Sequence, residues 1–300
     1  MASAAAQRII EEMRAQAGAP LKSLEQERGD WEAFAKTEKL PQGTLVSGVS
    51  FNEVPCEWVE RADSDMQVVM LIHGGGFNAG SPRTHRKFAA NFAQLTGRRV
   101  LLPDYRLAPE HRYPAAIDDI IAVYAGLLAQ GVERHEVVVC GDSAGGAVAL
   151  ATLLSLREVG APLPAGLILF SPWLDLTLSG ESHKLNAGHP NASEADFRRS
   201  AAWYAGDADP ADPFVSPLFA DLAGLPPMLI QAGGHETLLD DAVRLHERAQ
   251  AAGVASVLSV APEMWHVFQV ADCPEARAAV EEAAAFVNNV LSGTNAQGDA

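Results

Sequence analysis

Ser143 stands in VVVCGDSAGGAVALATLL (Val137–Leu154), where an apolar run gives way within a few residues to an Ala/Leu-rich one. A hydroxyl lifted on a sharp strand-to-helix turn can attack a carbonyl carbon once a neighbouring base removes its proton. Gly141, Gly145 and Gly146 flank that hydroxyl. They are expected where a crossing strand and helix leave no room for a Cβ. A helix starting directly behind Ser143 would favour a developing negative charge. A second glycine run, His73-Gly74-Gly75-Gly76, follows another apolar stretch, LIH. Consecutive glycines let bare backbone N–H groups approach an oxyanion, and the residue after the nucleophile, Ala144, supplies a further N–H. These two motifs describe acyl transfer through a tetrahedral intermediate.

That chemistry needs a base and an acid, expected downstream in the order nucleophile, acid, base. Of the nine histidines, only His235, His246 and His266 lie well downstream. His246 sits on the polar side of LDDAVRLHERAQ. His235 is adjacent to Glu236, and neighbours in a loop rarely face one site. His266, in PEMWHVFQV, follows the last apolar strand and is taken as the base. His73 precedes the nucleophile and reads as a loop-ordering hydrogen bonder. For the acid, Glu236, Asp240 and Asp241 are available. Asp240 and Asp241 open a helix, where its dipole alone explains acidic residues. Glu236 lies in the loop directly after a strand and is preferred, with Asp240 as the alternative.

These residues must be positioned by a regular frame, and the hydrophobic pattern supplies one. Continuous apolar runs at Gln67–His73, Arg99–Tyr105, Gly166–Trp173 and Pro226–Gly234, with Ala255–Pro262, read as strands. VSGVSFNEVPCEWVE, from Val46, reads as short strands joined by a turn. Helix-length patterns at Ala115–Ala129, Gly145–Glu158, Asp240–Ala252 and Glu275–Leu291 alternate with them. Such alternation implies an α/β fold with a mostly parallel central sheet covered on both faces. Residues 1–45 look helical, and residues 178–213 interrupt the alternation with a polar, turn-rich insertion holding one short helix around Ala195–Tyr204. Residues 46–177 and 214–292 then form one catalytic domain, and residues 293–300 read as a disordered tail.

With 300 residues and 48% hydrophobic content, the chain can bury a large core. A formal net charge of -16 without a long basic run argues against nucleic-acid or anionic-membrane partners, and disfavours anionic substrates. The three cysteines, Cys56, Cys140 and Cys273, have neither disulfide-framework nor metal-ligand spacing. Neither a secretory signal nor a membrane-length apolar run is legible, so the expected compartment is the cytoplasm. No cofactor or metal is expected, and a homodimer is left open.

The motifs together resemble the bacterial hormone-sensitive-lipase-like carboxylesterases of the α/β-hydrolase superfamily. The likeness runs from about Gly48 onward. It rests on His73–Gly76, DYRLAPEHRYPAAIDD, GDSAGG, SPWLDL, VSPLFADLAGLPP and MWHVF. The resemblance implies an α/β-hydrolase fold with a helical cap made from residues 1–45 and 178–213. It implies Ser143, Glu236 and His266 as the catalytic triad, and Gly75, Gly76 and Ala144 as the oxyanion hole. The family often carries Asp where this chain has Glu236, and some branches are similar to this one in using Glu. The function implied is hydrolysis of short- to medium-chain neutral esters or lactones by a serine carboxylesterase. Two alternatives share the fold, a non-catalytic small-molecule receptor and an acyltransferase; the presence of His266 speaks against the receptor. Phe77, Trp173, Trp203, Phe214 and Trp265 are candidates for the substrate pocket, with Trp31, Phe34 and Tyr204 from the cap pieces. Ordinary core packing would account for each of these aromatics equally well.

Overall fold

In the computed structural model, which describes residues 1–15, 21–189 and 193–293, the apolar runs pair into a single sheet. Its strands are β1 (Thr44–Phe51), β2 (Val54–Arg61), β3 (Val68–Ile72), β4 (Arg99–Pro103), β5 (Val137–Asp142), β6 (Gly166–Phe170), β7 (Met228–Gly233) and β8 (Ser256–Ala261). They lie in the order β1-β2-β4-β3-β5-β6-β7-β8. β1 and β2 form an antiparallel hairpin whose turn residues, Asn52 and Glu53, both adopt positive φ, at 46° and 71°. That left-handed pair matches the twist of the flanking strands. β2 also runs antiparallel to β4; from β4 through β8 every pairing is parallel.

The helices are α1 (Ala4–Ala15), α2 (Leu24–Ala35), α3 (Pro82–Thr96), α4 (Ala115–Ala129), α5 (Ala144–Glu158), α6 (Ser182–Leu185), α7 (Glu194–Ala205), α8 (Leu239–Ala251) and α9 (Pro274–Gly293). On one face of the sheet the core gathers residues of α4, α5 and α8; on the other it gathers α3 and α9. Both faces being covered is why β3, β5, β6 and β7 are buried along their whole lengths and read as unbroken apolar runs. α3 was absent from the sequence reading, although its Ser81 capping box and its Gly97 cap at φ 68° bound it clearly. The expected tail falls, from residue 294 on, outside the described residues.

Two further layers sit on the α/β body. α1 packs its Ala6, Ile9, Ile10 and Met13 against Met264, Trp265 and Phe268. Its first residues are tied down by Ala2 N–H donating to Glu263 at 2.8 Å and Ser3 Oγ donating to Glu275 at 2.8 Å. α2 buries none of its residues fully. It is held instead by Arg28, which donates to the carbonyls of Asn78 (2.6 Å) and Ala108 (2.9 Å) and to Glu110. Arg199 of α7 joins the two outlying pieces by donating to Glu27 at 3.0 Å and to the Lys22 carbonyl at 2.9 Å.

Candidate active site

The carboxyl ends of β3, β5, β6, β7 and β8 deliver His73, Ser143, Ser171, Glu236 and His266 to one edge of the sheet. In open parallel sheets this edge is where ligands bind, because the connecting loops converge there. Ser143 follows β5 with φ 51° and ψ -121°, a conformation costly for a residue with a Cβ, and α5 begins at the next residue. A Cβ on Gly141 would strike the Gly145 backbone, and one on Gly145 would strike the carbonyls of Ile72 and His73. The glycines are therefore dictated by the close crossing of β3, β5 and α5.

His266 Nε2 lies 2.9 Å from Ser143 Oγ. Its Nδ1 faces Glu236 Oε2 at 3.6 Å, longer than a formed hydrogen bond, and among the described residues neither Nδ1 nor Glu236 Oε1 has a hydrogen-bond partner. Such contacts are commonly loose before substrate is bound. Glu236 is fully buried. Asp240 is engaged elsewhere, accepting from the Ser182 N–H at 2.9 Å. Asp241 accepts from the N–H groups of Leu174 and Asp175 at 2.6 and 2.9 Å, and burial pushes its carboxyl up to about 8. The geometry thus brings Glu236 to His266, and neither aspartate. His246 meets Ser256 Oγ at 2.9 Å, and His235 stacks on His189.

Gly75 and Gly76 adopt φ of 119° and 61° and line the same cavity as Ser143, while Ala144 opens α5, where the first N–H groups have no intrahelical acceptor. The Gly75 carbonyl accepts from the N–H of Asn78 at 3.1 Å and of Ala79 at 2.9 Å, closing the turn. Two residues that sequence reasoning passed over hold this turn in place. Asp142 Oδ1 accepts from the Gly74 N–H at 2.9 Å and lies 3.2 Å from His85 Nε2. Burial works against the Asp142 charge, but the neighbouring His85 and the Gly74 N–H hold its carboxyl below the ordinary range. His73 stacks on Tyr105, whose hydroxyl donates to the His73 carbonyl at 2.6 Å. Burial, with His85 beside it, pushes His73 down to about 3, so it is neutral at ordinary pH and serves as a brace. Asp142 was findable in principle, since it immediately precedes the nucleophile.

The cavity holds about 730 Å³ and is walled by α1, α2 and α7 as well as by the sheet-edge loops. Trp31 and Phe34 of α2 line it, as do Trp173 and Trp265. Phe77, Trp203 and Phe214 do not, which corrects the sequence expectation. Phe77 has φ 65°, which turns its ring into the core, where it stacks on Tyr204 at 3.9 Å. Trp203 and Phe214 pack against that same core cluster. In their place Phe197 of α7, set edge-on to Trp173 at 4.9 Å, contributes an aromatic wall that the sequence reading missed. Among the described residues, no group of three or more His, Cys, Asp or Glu is placed to hold a metal ion, and no helix is long and apolar enough to cross a membrane.

Comparison with known proteins identifies the family and the fold. Residues 69–270 match a family described as alpha/beta hydrolase fold. The chain is 40% identical over 251 residues to an acetyl-hydrolase of Streptomyces hygroscopicus, covering 83% of each chain. It superposes on a crystal structure of the esterase EstE5, soaked with p-nitrophenyl butyrate, with a TM-score of 0.93 and 35% identity, over 97% of this chain and 100% of that one. An esterase from the bacterial hormone-sensitive lipase family superposes with a TM-score of 0.92 and 39% identity, over 97% of this chain and 99% of that one. The chain therefore belongs to the hormone-sensitive-lipase-like carboxylesterases of the α/β-hydrolase fold, and it is a carboxylic ester hydrolase.

Proposed function

We propose that this esterase works by a serine mechanism on neutral carboxylic esters or lactones of short to medium chain length. Ser143 Oγ attacks the ester carbonyl while His266 Nε2 takes its proton; the N–H groups of Gly75, Gly76 and Ala144 stabilise the oxyanion. Collapse of the tetrahedral intermediate expels the alcohol, which receives the proton from His266 and leaves an acyl group on Ser143. Water, deprotonated by the same imidazole, then releases the acid. Glu236 fixes the tautomer of His266 and stabilises the imidazolium that forms in each half-reaction. The observation that carries this reading is the 2.9 Å contact of His266 Nε2 with Ser143 Oγ, with Glu236 behind Nδ1.

The substrate class follows from the cavity. About 730 Å³ walled by Trp31, Trp173, Phe197 and Trp265 suits an apolar acyl or alcohol group, and the formal charge of -16 disfavours anions. The helices α1, α2 and α7 act as a cap over that cavity. The unpaired buried thiols of Cys56, Cys140 and Cys273 suit a cytoplasmic enzyme. The reading is tested with phenylmethylsulfonyl fluoride, a reagent for activated serines. Loss of p-nitrophenyl butyrate hydrolysis should accompany one sulfonyl group located on Ser143 by peptide mass mapping. Inactivation with the label on another residue, or full labelling of Ser143 without loss of turnover, would overturn it.

A further inference from the structure

The motif SPWLDL (Ser171–Leu176) follows Phe170, the last residue of β6, and Phe170, Ser171 and Trp173 together bond to Ser143, to Glu236 and to the residue after His266. The Phe170 carbonyl accepts from the Ser143 N–H at 2.9 Å, and the Trp173 N–H donates to the Ser143 carbonyl at 3.0 Å. Between them Ser171 is fully buried, with φ 47°, in the left-handed region that a residue with a Cβ seldom occupies. Its hydroxyl donates to Glu236 Oε2 at 2.6 Å and accepts from the Val267 N–H at 3.0 Å. Val267, the residue after His266, is itself left-handed at φ 53°.

The direction of these bonds is set by chemistry. A backbone N–H can only donate, so a Ser171 lone pair accepts from Val267 and the one hydroxyl hydrogen goes to the carboxylate. A single oxygen thereby links the acid to the peptide that carries the base. Among the described residues Glu236 Oε1 has no hydrogen-bond partner, so the Ser171 hydroxyl fixes the rotation of this carboxyl group while Oε2 lies 3.6 Å from His266 Nδ1. We infer that Ser171 is a positioning residue for the acid–base pair, holding the Glu236 carboxylate and the His266 loop in register. This inference rests on the assignment of Glu236 and His266 proposed above.

The test is a double-mutant cycle on the full-length enzyme with p-nitrophenyl butyrate. Ser171→Ala should lower kcat about 10- to 100-fold, the worth of one hydrogen bond to a charged group, with KM changed less than about threefold. In a Glu236→Gln background the same substitution should cost less than about threefold more, because the group it positions has lost its function. Ser171→Gly relieves the positive φ and removes the hydroxyl; it should match Ser171→Ala in kcat while melting no lower. Independent, multiplicative losses in the cycle would assign Ser171 a merely structural role and overturn the inference. So would a wild-type kcat in either variant, or failure of both to fold. Failure of the underlying assignment looks different: Glu236→Gln alone would then retain wild-type kcat.

Discussion

Replacing Gly75 by Ala separates the chemistry of the glycine turn from its architecture. Gly75 has φ 119°, and a Cβ there would overlap the Ala79 carbonyl oxygen and approach the Gly80 nitrogen at 3.1 Å. The clash is with the turn's own backbone, which is also pinned by the Asn78 and Ala79 N–H groups donating to the Gly75 carbonyl. The peptide must therefore shift or the turn must open. Strain of this kind costs about 1–3 kcal/mol of stability. A displacement of about 1 Å in a catalytic group costs on the order of 10²-fold, and loss of one oxyanion donor about 10²–10³-fold in kcat. Gly75→Ala should accordingly lose about 10²–10³ in kcat, with KM of similar size and a modestly lowered Tm. Gly97→Ala is the control: its φ is 68° and nothing lies within 4 Å of the added Cβ, at the end of α3. It should cost about 1 kcal/mol of stability and leave kcat unchanged. Steady-state p-nitrophenyl butyrate kinetics beside thermal melts of both variants decide the matter. A folded Gly75→Ala enzyme with wild-type kcat would refute the placing of an oxyanion donor in this turn.

Glu236→Gln should reduce kcat/KM about 10²–10⁴-fold, whereas Asp240→Asn should change it only a few fold; the reverse order in paired kinetics would move the acid role to Asp240. Trp31 is 37% exposed and lines the cavity, so Trp31→Ala should lower kcat/KM for p-nitrophenyl octanoate about tenfold more than for the acetate. An unchanged chain-length profile would exclude α2 from the acyl site. Asp241, buried and raised to about 8, keeps its proton in the folded state while the unfolded chain ionises near pH 4. Stability contributed by this group is present below about pH 4 and is lost as pH rises to about 8, since the folded state binds the extra proton across that window. Asp241→Asn, which keeps an acceptor for the Leu174 and Asp175 N–H groups, should flatten the fall in Tm between pH 5 and 8, and an unaltered slope would sink the reasoning.

Much of the frame was legible because the sheet is parallel and covered twice. Val137–Cys140 and Gly166–Phe170 can be read as strands from apolar content alone, since no face of them meets water. Gly141 and Gly145 mark the turn at Ser143 because a Cβ at either would strike backbone where β3, β5 and α5 cross. His266 and Glu236 were reachable by chain order and position after a strand. Ser171 was not, because its meaning lies in two partners brought from β7 and from the loop after β8 by the fold as a whole. His85 was hidden for the same reason: only the packing of α3 onto the sheet sets it beside Asp142. The aromatics failed differently. Trp173 and Phe77 are equally apolar, and whether a ring faces the cavity or the core depends on a backbone angle, φ 65° at Phe77, that composition does not report.

The serine mechanism is tested most directly by Ser143→Ala, measured on p-nitrophenyl butyrate with the melt and far-ultraviolet spectrum recorded alongside. The methyl side chain fits the space of the hydroxyl and removes only the nucleophile. Turnover should fall by about 10⁴-fold or more, leaving the slow residual rate of a bound ester facing water beside intact oxyanion donors. A folded Ser143→Ala enzyme that kept more than about a tenth of the wild-type kcat would contradict nucleophilic attack by Ser143.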